Sequence, residues 1–253
     1  MNKVAFVWFT FDGDADCLLT SVESVRRVHG AEVPICLYDD AAHPLSQEVV
    51  RLVRPTVYEQ TDFDRQGNLN GKACILGMLN CLQGAGRVTQ STWVSKIDSD
   101  TLLLRDWCMW DYDVRFQGSM WHCHTLGAGL NYTMRADVPE DILQMLARSP
   151  SILTGRLPED ATISLLAHVV SPFGAVSHIC APGHPDRLVG GWKYVPGKES
   201  RREDGARFAV LTFGNRHDMV DTPVEHRRQR VAKVMREFYD WFCREQDASR
   251  GSA

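Results

Sequence analysis

KIDSDTLLL, residues 96–104, is the stretch whose reading decides the fold. An apolar, β-prone run (Thr92, Trp93, Val94) leads into it, and Asp98 and Asp100 stand one residue apart where that run ends. Side chains at i and i+2 of a strand share a face. A turn at the strand end therefore lets both carboxylates address one hard cation. Mg²⁺ or Mn²⁺ is commonly held by one or two carboxylates while phosphate oxygens complete the shell.

Outward from this turn, the preceding sequence alternates strands and helices. Lys3–Thr10 (KVAFVWFT) is an apolar run closed by Asp12-Gly13-Asp14, the pattern of a strand buried on both faces. Leu18, Leu19, Val22 and Val25 repeat at helical spacing up to Gly30. Val33–Tyr38 reads as a second strand ending at Asp39-Asp40, Ser46–Val53 as a short helix stopped by Pro55, and Asn70–Leu82 as a longer helix. This rhythm predicts an α/β fold with a mostly parallel central sheet flanked by helices. Ligands of such sheets bind beyond the carboxyl ends of the strands, where Asp12, Asp39, Asp40, Asp98 and Asp100 all fall.

The second half is more irregular. Strands are expected over 114–121, 128–134, 176–180 and 208–213, with helices over 139–147 and 158–168. The latter helix carries Glu159-Asp160 in its first turn, a favourable placement against the helix dipole. Residues 182–205, rich in Gly, Pro and charge, read as a long loop that can serve as a lid. A terminal helix over 225–246 places Val231, Val234, Met235, Phe238, Trp241 and Phe242 on one face. Its Arg227, Arg228, Arg230, Lys233 and Arg236 offer two readings, docking on the domain or peripheral contact with an anionic membrane. The expected organisation is a single domain over residues 1–247. Its parts are a first half to about 106, a second half over about 107–222, the terminal helix over about 224–246, and a frayed tail over 248–253.

Composition narrows the class. With 253 residues, 44% apolar, the chain can bury an ordinary core. A net charge of −4 speaks against a nucleic-acid binder. The eight cysteines include no Cys-x-x-Cys pair, and several lie in apolar runs, as buried reduced thiols do. The opening MNKVAFVWFTFDGD has too short an apolar run for a signal peptide, and no segment has the apolar length of a membrane span. The expected location is cytoplasmic. His122-Cys123-His124 invites a zinc reading but has no evident partner ligands in the sequence.

The segment GKACILGMLNCLQGAGRVTQSTWVSKIDSDTLLL (71–104) resembles the donor-binding core of GT-A glycosyltransferases. The resemblance is strongest to the inverting, family-2-like nucleotide-diphospho-sugar transferases that include many bacterial polysaccharide enzymes. The segment 127–138 resembles the Gly-rich strand of that family, and Glu159-Asp160 with Ser164-Leu165-Leu166 resembles its Glu-Asp helix. The family often has Asn four residues beyond its Gly-Lys-Ala; here that position is Gly77. The Gln-x-x-Arg-Trp motif of processive synthases is absent. The resemblance implies a non-processive, metal-dependent hexosyltransferase-like enzyme that uses a nucleotide-diphosphate sugar, of the uridine class. Its acceptor would be a hydroxyl on a glycan, lipid-linked sugar or protein.

It also implies roles. Asp98 and Asp100 would hold Mn²⁺ or Mg²⁺, with His217 as a third ligand. Thr10, Asp12, Asp39, Asp40, Lys72, Asp98 and Ser99 would contact the nucleotide sugar. Asp160 would be the general base, with Glu159 beside it in the catalytic pair. Three rival readings are a non-catalytic sugar-nucleotide or metal-binding module of the same fold, a nucleotidyltransferase, and a haloacid-dehalogenase-type phosphatase. The acidic TFDGDAD after the first strand disfavours the second, and the Gly falling between its acids disfavours the third.

Overall fold

The computed structural model describes residues 3–63, 71–106, 114–119, 131–153, 157, 159–171, 176–180, 189–191, 202, 206, 208–213 and 223–251. The strands are β1 (Val4–Thr10), β2 (Ile35–Asp40), β3 (Val57–Thr61), β4 (Trp93–Lys96), β5 (Thr101–Leu103), β6 (Phe116–Ser119), β7 (Tyr132–Arg135), β8 (Val176–Cys180), β9 (Val189–Gly191) and β10 (Val210–Thr212). The helices are α1 (Ala15–His29), α2 (Gln47–Val53), α3 (Gly71–Thr89), α4 (Val138–Arg148), α5 (Glu159–Val170) and α6 (Val224–Gly251).

A seven-stranded sheet runs β3-β2-β1-β4-β7-β6-β8. Its strands are parallel except β7, which is antiparallel to both β4 and β6. A smaller sheet, β5-β10-β9, packs alongside. The chain moves outward from β1 to β2 and β3, then returns through α3 to place β4 on the other side of β1. The carboxyl edge between β1 and β4 is thus a topological switch point, the place where open α/β sheets bind their ligands.

β1 is apolar on both faces because both faces are covered. Ala5 and Val7 point into a core shared with Ile75, Leu79 and Leu82 of α3 and Ile142 and Leu146 of α4. Val4, Phe6 and Trp8 point into a second core with Leu18, Val22 and Val25 of α1 and Val53 of α2. β2 divides in the same way, Cys36 and Tyr38 against Ile35 and Leu37. A third core joins Leu102 and Leu104 near β5 and Leu211 of β10 to Val231, Met235, Phe238 and Phe242 of α6.

Several expected elements differ in extent. β3 was not expected as a strand: VYEQT is an edge strand whose middle residues face solvent, so it lacks an apolar run. β5 and β9 are three residues each, too short for periodicity to show. α3 continues past Leu82 to Thr89, because Gly84 and Gly86 do not stop it. Gly86 lets the helix approach its neighbour: an added Cβ would sit 2.8 Å from the Cβ of Ala136. α6 is helical to Gly251, so residues 248–251 continue the helix where fraying was expected. The expected loop over 182–205 and the His122-Cys123-His124 cluster lie largely or wholly outside the described residues.

Gly77 has a packing reason. A Cβ there would come within 2.3–2.7 Å of three ring carbons of Phe63, which follows β3. Phe63 meets Phe9 edge-on at 6.3 Å, and Phe9 stacks on Tyr38 at 5.7 Å. The space that an Asn side chain would need is filled by this aromatic group. Gly77→Asn is expected to destabilise the chain by about 1–3 kcal/mol through overpacking. Urea unfolding should show much of that loss returning in the Gly77→Asn/Phe63→Ala double variant.

Candidate active site

The Asp98–Asp100 turn is fastened by its backbone. Asp98 C=O accepts the Thr101 N–H at 3.1 Å, closing the turn. The Asp98 N–H donates to Asn131 Oδ1 at 3.1 Å, and Asp100 C=O accepts the Phe213 N–H at 2.9 Å. Beyond it, the Leu103 N–H donates to Ser24 Oγ of α1 at 3.0 Å, and the Thr101 and Thr212 hydroxyls bond at 2.9 Å. Asn131 just before β7 and Phe213 just after β10 therefore hold the turn, and Ser24 of α1 holds the strand that follows it. Both carboxylates remain partly exposed, while Ser99 between them is buried.

Below the turn lies Lys96, the last residue of β4, with a side chain only 7% exposed. Its ammonium is 2.6 Å from Asp98 Oδ1 and 3.9 Å from Glu159 Oε2. β4 and β7 pair Lys96 directly with Tyr132. The ammonium lies 5.8 Å from the Tyr132 ring centre, and the Tyr132 hydroxyl donates to Glu159 Oε1 at 2.6 Å. Glu159 and Asp160 open α5, and Asp160 Oδ1 accepts the Ala161 N–H at 2.7 Å. The Asp-x-Asp turn and the Glu-Asp helix start, one from each half of the chain, thus meet around one buried cation.

The electrostatics follow from burial and neighbours. Burial alone would lower the Lys96 pKa, but Asp98, Glu159 and Asp160 outweigh it and hold the ammonium above its ordinary value. Burial raises Glu159, and Asp160 adds to this, while Lys96 and the Tyr132 hydroxyl oppose it. Burial also raises Asp160, against the pull of Lys96 and the Ala161 N–H. Burial and the adjacent Glu159 push the Tyr132 phenol well up, so it stays a neutral donor.

The other sequence candidates separate by exposure. Thr10, at the end of β1, and Asp39, on β2, are fully buried. Asp39 Oδ2 accepts the Leu45 N–H and the Tyr58 hydroxyl, each at 2.8 Å, so it braces the edge from behind. Asp40 is partly exposed and caps the Ala42 N–H at 2.9 Å. Asp12 and Lys72 are exposed, Asp12 after β1 and Lys72 in the first turn of α3. His217 lies outside the described residues. The sequence reading missed Lys96, Tyr132 and Asn131. A lysine ending an apolar strand two residues before an Asp-x-Asp was the available signal for the first.

Asp98 and Asp100 are hard oxygen donors, each partly exposed on a turn fastened by backbone hydrogen bonds, and Mg²⁺ or Mn²⁺ sharing its shell with phosphate oxygens would suit such donors. Among the described residues no three His, Cys, Asp or Glu side chains are placed so that they could hold one metal ion together, so a closed all-protein cage is not built from them.

No protein-family model and no curated protein sequence matches the chain. Solved structures do. The glycosyltransferase involved in glycosylation of the major capsid of PBCV-1 superposes with a TM-score of 0.55 at 10% identity, over 93% of this chain and 99% of that one. The fold is that of the GT-A glycosyltransferases. The galactosyltransferase LgtC, in complex with donor and acceptor sugar analogues, matches with a TM-score of 0.51 at 12% identity, over 90% and 95% of the two chains. The apo form of GlyE from Streptococcus pneumoniae TIGR4 matches with 0.52 at 10% identity, over 97% of this chain and 64% of that one. At such identity the GT-A likeness concerns the fold.

The raised Asp160 carboxyl has a definite pH signature. A carboxyl with a higher pKa in the folded state binds protons more tightly there, so its contribution to stability falls as pH rises from about 4. That decline ends where the folded group ionises. In thermal melts across this range, wild type should lose ground to Asp160→Asn as pH increases; a constant Tm difference would contradict the shift.

Proposed function

We propose that the chain is a metal-dependent glycosyltransferase that moves a sugar from a nucleotide-diphosphate donor, of the uridine class, to an acceptor hydroxyl. One observation carries the reading: the Asp98-x-Asp100 turn and the Glu159-Asp160 helix start converge at the carboxyl edge of the sheet, beside the switch point. The GT-A fold, shared with a galactosyltransferase solved with donor and acceptor sugar analogues, supports a sugar donor and a sugar acceptor as the kind of partner.

Asp98 and Asp100 would hold the divalent ion, which supplies positive charge to the diphosphate as the nucleotide departs. Exposed Asp12 and partly exposed Asp40 are the strand-end groups available to the nucleoside, and Lys72 to its phosphates. Asp160 is the base. Glu159 is engaged on Oε1 by Tyr132 and faces Lys96 with Oε2. Asp160 keeps partial exposure and one oxygen beyond its Ala161 contact. Its raised pKa favours proton uptake, and ionised Asp160 would take the acceptor proton as the hydroxyl attacks the anomeric carbon in a single inverting displacement.

A thermal-shift screen of nucleotide sugars with Mn²⁺, repeated with chelator, should give a metal-dependent stabilisation with one donor, lost in Asp98→Ala. Asp160→Asn should keep that stabilisation but lose transfer by roughly 10²-fold or more. The product should show the opposite anomeric configuration by NMR. Retained configuration, or full activity in Asp160→Asn, would remove Asp160 from the role of base.

A further inference from the structure

Resting on the proposed metal site, the geometry points to a second role within it: Lys96 is a resident cation that a divalent ion must displace from Asp98. The ammonium occupies Asp98 Oδ1 at 2.6 Å, and that oxygen belongs to the carboxylate through which the metal would be held. A divalent ion and an ammonium cannot share this oxygen at close range without strong repulsion. The structure provides a second position for the ammonium. Glu159 Oε1 is held by the Tyr132 hydroxyl, leaving Oε2 directed at Lys96 from 3.9 Å. That is an ion-pair separation, and a movement of about an ångström would make it a direct charge-assisted hydrogen bond.

Glu159 is a positioning residue in this account. It receives the ammonium when Asp98 is taken, and Tyr132 keeps its free oxygen aimed correctly. The exchange links the two halves of the site, because a cation bound at the Asp-x-Asp turn transfers the lysine toward the start of α5. In the metal-free protein the same lysine keeps three neighbouring carboxylates from facing one another unscreened.

The account predicts opposite effects from two substitutions in the same contact network. Mn²⁺ binding to the nucleotide-free protein can be followed through the EPR signal of free Mn²⁺ in wild type, Lys96→Met and Glu159→Gln. Lys96→Met should bind Mn²⁺ about tenfold more tightly, since a unit charge a few ångströms from a divalent ion has been removed. Glu159→Gln should bind it several-fold more weakly, because the displaced ammonium loses its receiving carboxylate. Lys96 as a merely structural group predicts weaker binding in both variants.

Unchanged or weaker affinity in a Lys96→Met protein that melts cooperatively overturns the inference while leaving the metal site standing. If Lys96→Met does not fold, Lys96→Gln, which removes the charge but keeps a polar donor beside the two carboxylates, decides: unchanged or weaker binding overturns the inference, and tighter binding supports it. Binding in Lys96→Met alone, with none in wild type, would support it in its strongest form. Absence of binding in all three proteins would remove the metal site and the inference together.

Discussion

A lysine ammonium shut away from water is the constraint on which this arrangement depends. Burying an ion costs several kcal/mol unless opposite charges and hydrogen bonds surround it. Lys96 meets that condition through Asp98, Glu159 and Asp160, beside the face of Tyr132. They come from three parts of the chain: Asp98 from the turn after β4, Glu159 and Asp160 from the first turn of α5, and Tyr132 from β7. β7 is the antiparallel strand, and its pairing with β4 sets Tyr132 opposite Lys96. The reversal within an otherwise parallel sheet is therefore part of how the two halves of the chain are brought into register around Lys96.

Much of the first half was legible because burial on two faces leaves a plain record. β1, β2, α1 and α2 stand where apolar runs and helical spacing place them, with Ser46 capping α2 through its hydroxyl. The strand before Asp98 was readable for the same reason. β3 was not, since an edge strand half-exposed to solvent writes no apolar run. β5 and β9 are stabilised by partners distant in sequence, and three residues carry no period of their own. Their partner is β10, which lies more than 100 residues beyond β5.

The site was legible in its acids and illegible in what holds them. Asp98, Asp100, Glu159 and Asp160 announce themselves as a motif and a helix start. Lys96 and Tyr132 are single residues inside strands, and only the antiparallel register shows them face to face. Asp39 and Asp40 are adjacent acids with different fates: Asp39 is wholly buried and braces Leu45 and Tyr58, whereas Asp40 caps an exposed turn. A sequence shows two carboxylates there, and only packing distinguishes them.

The terminal helix is fastened to the start of the chain by Arg27–Asp247 and Glu23–Arg236 ion pairs, by Arg228 with Asp14, and by the Arg228 guanidinium over the Phe11 ring at 4.1 Å. Two of the basic residues that suggested a membrane face are spent on these internal contacts. No helix of the described residues is long and apolar enough to cross a membrane. This closure also sets an order on biogenesis. The core of Cys17, Leu102, Leu211 and Met235 gathers segments made early and late on the ribosome. While synthesis is under way, the early segments wait with apolar surface uncovered, and the small sheet behind the Asp-x-Asp turn lacks its backing. A nascent chain halted before residue 231 would carry both acidic motifs and still be a client for chaperones.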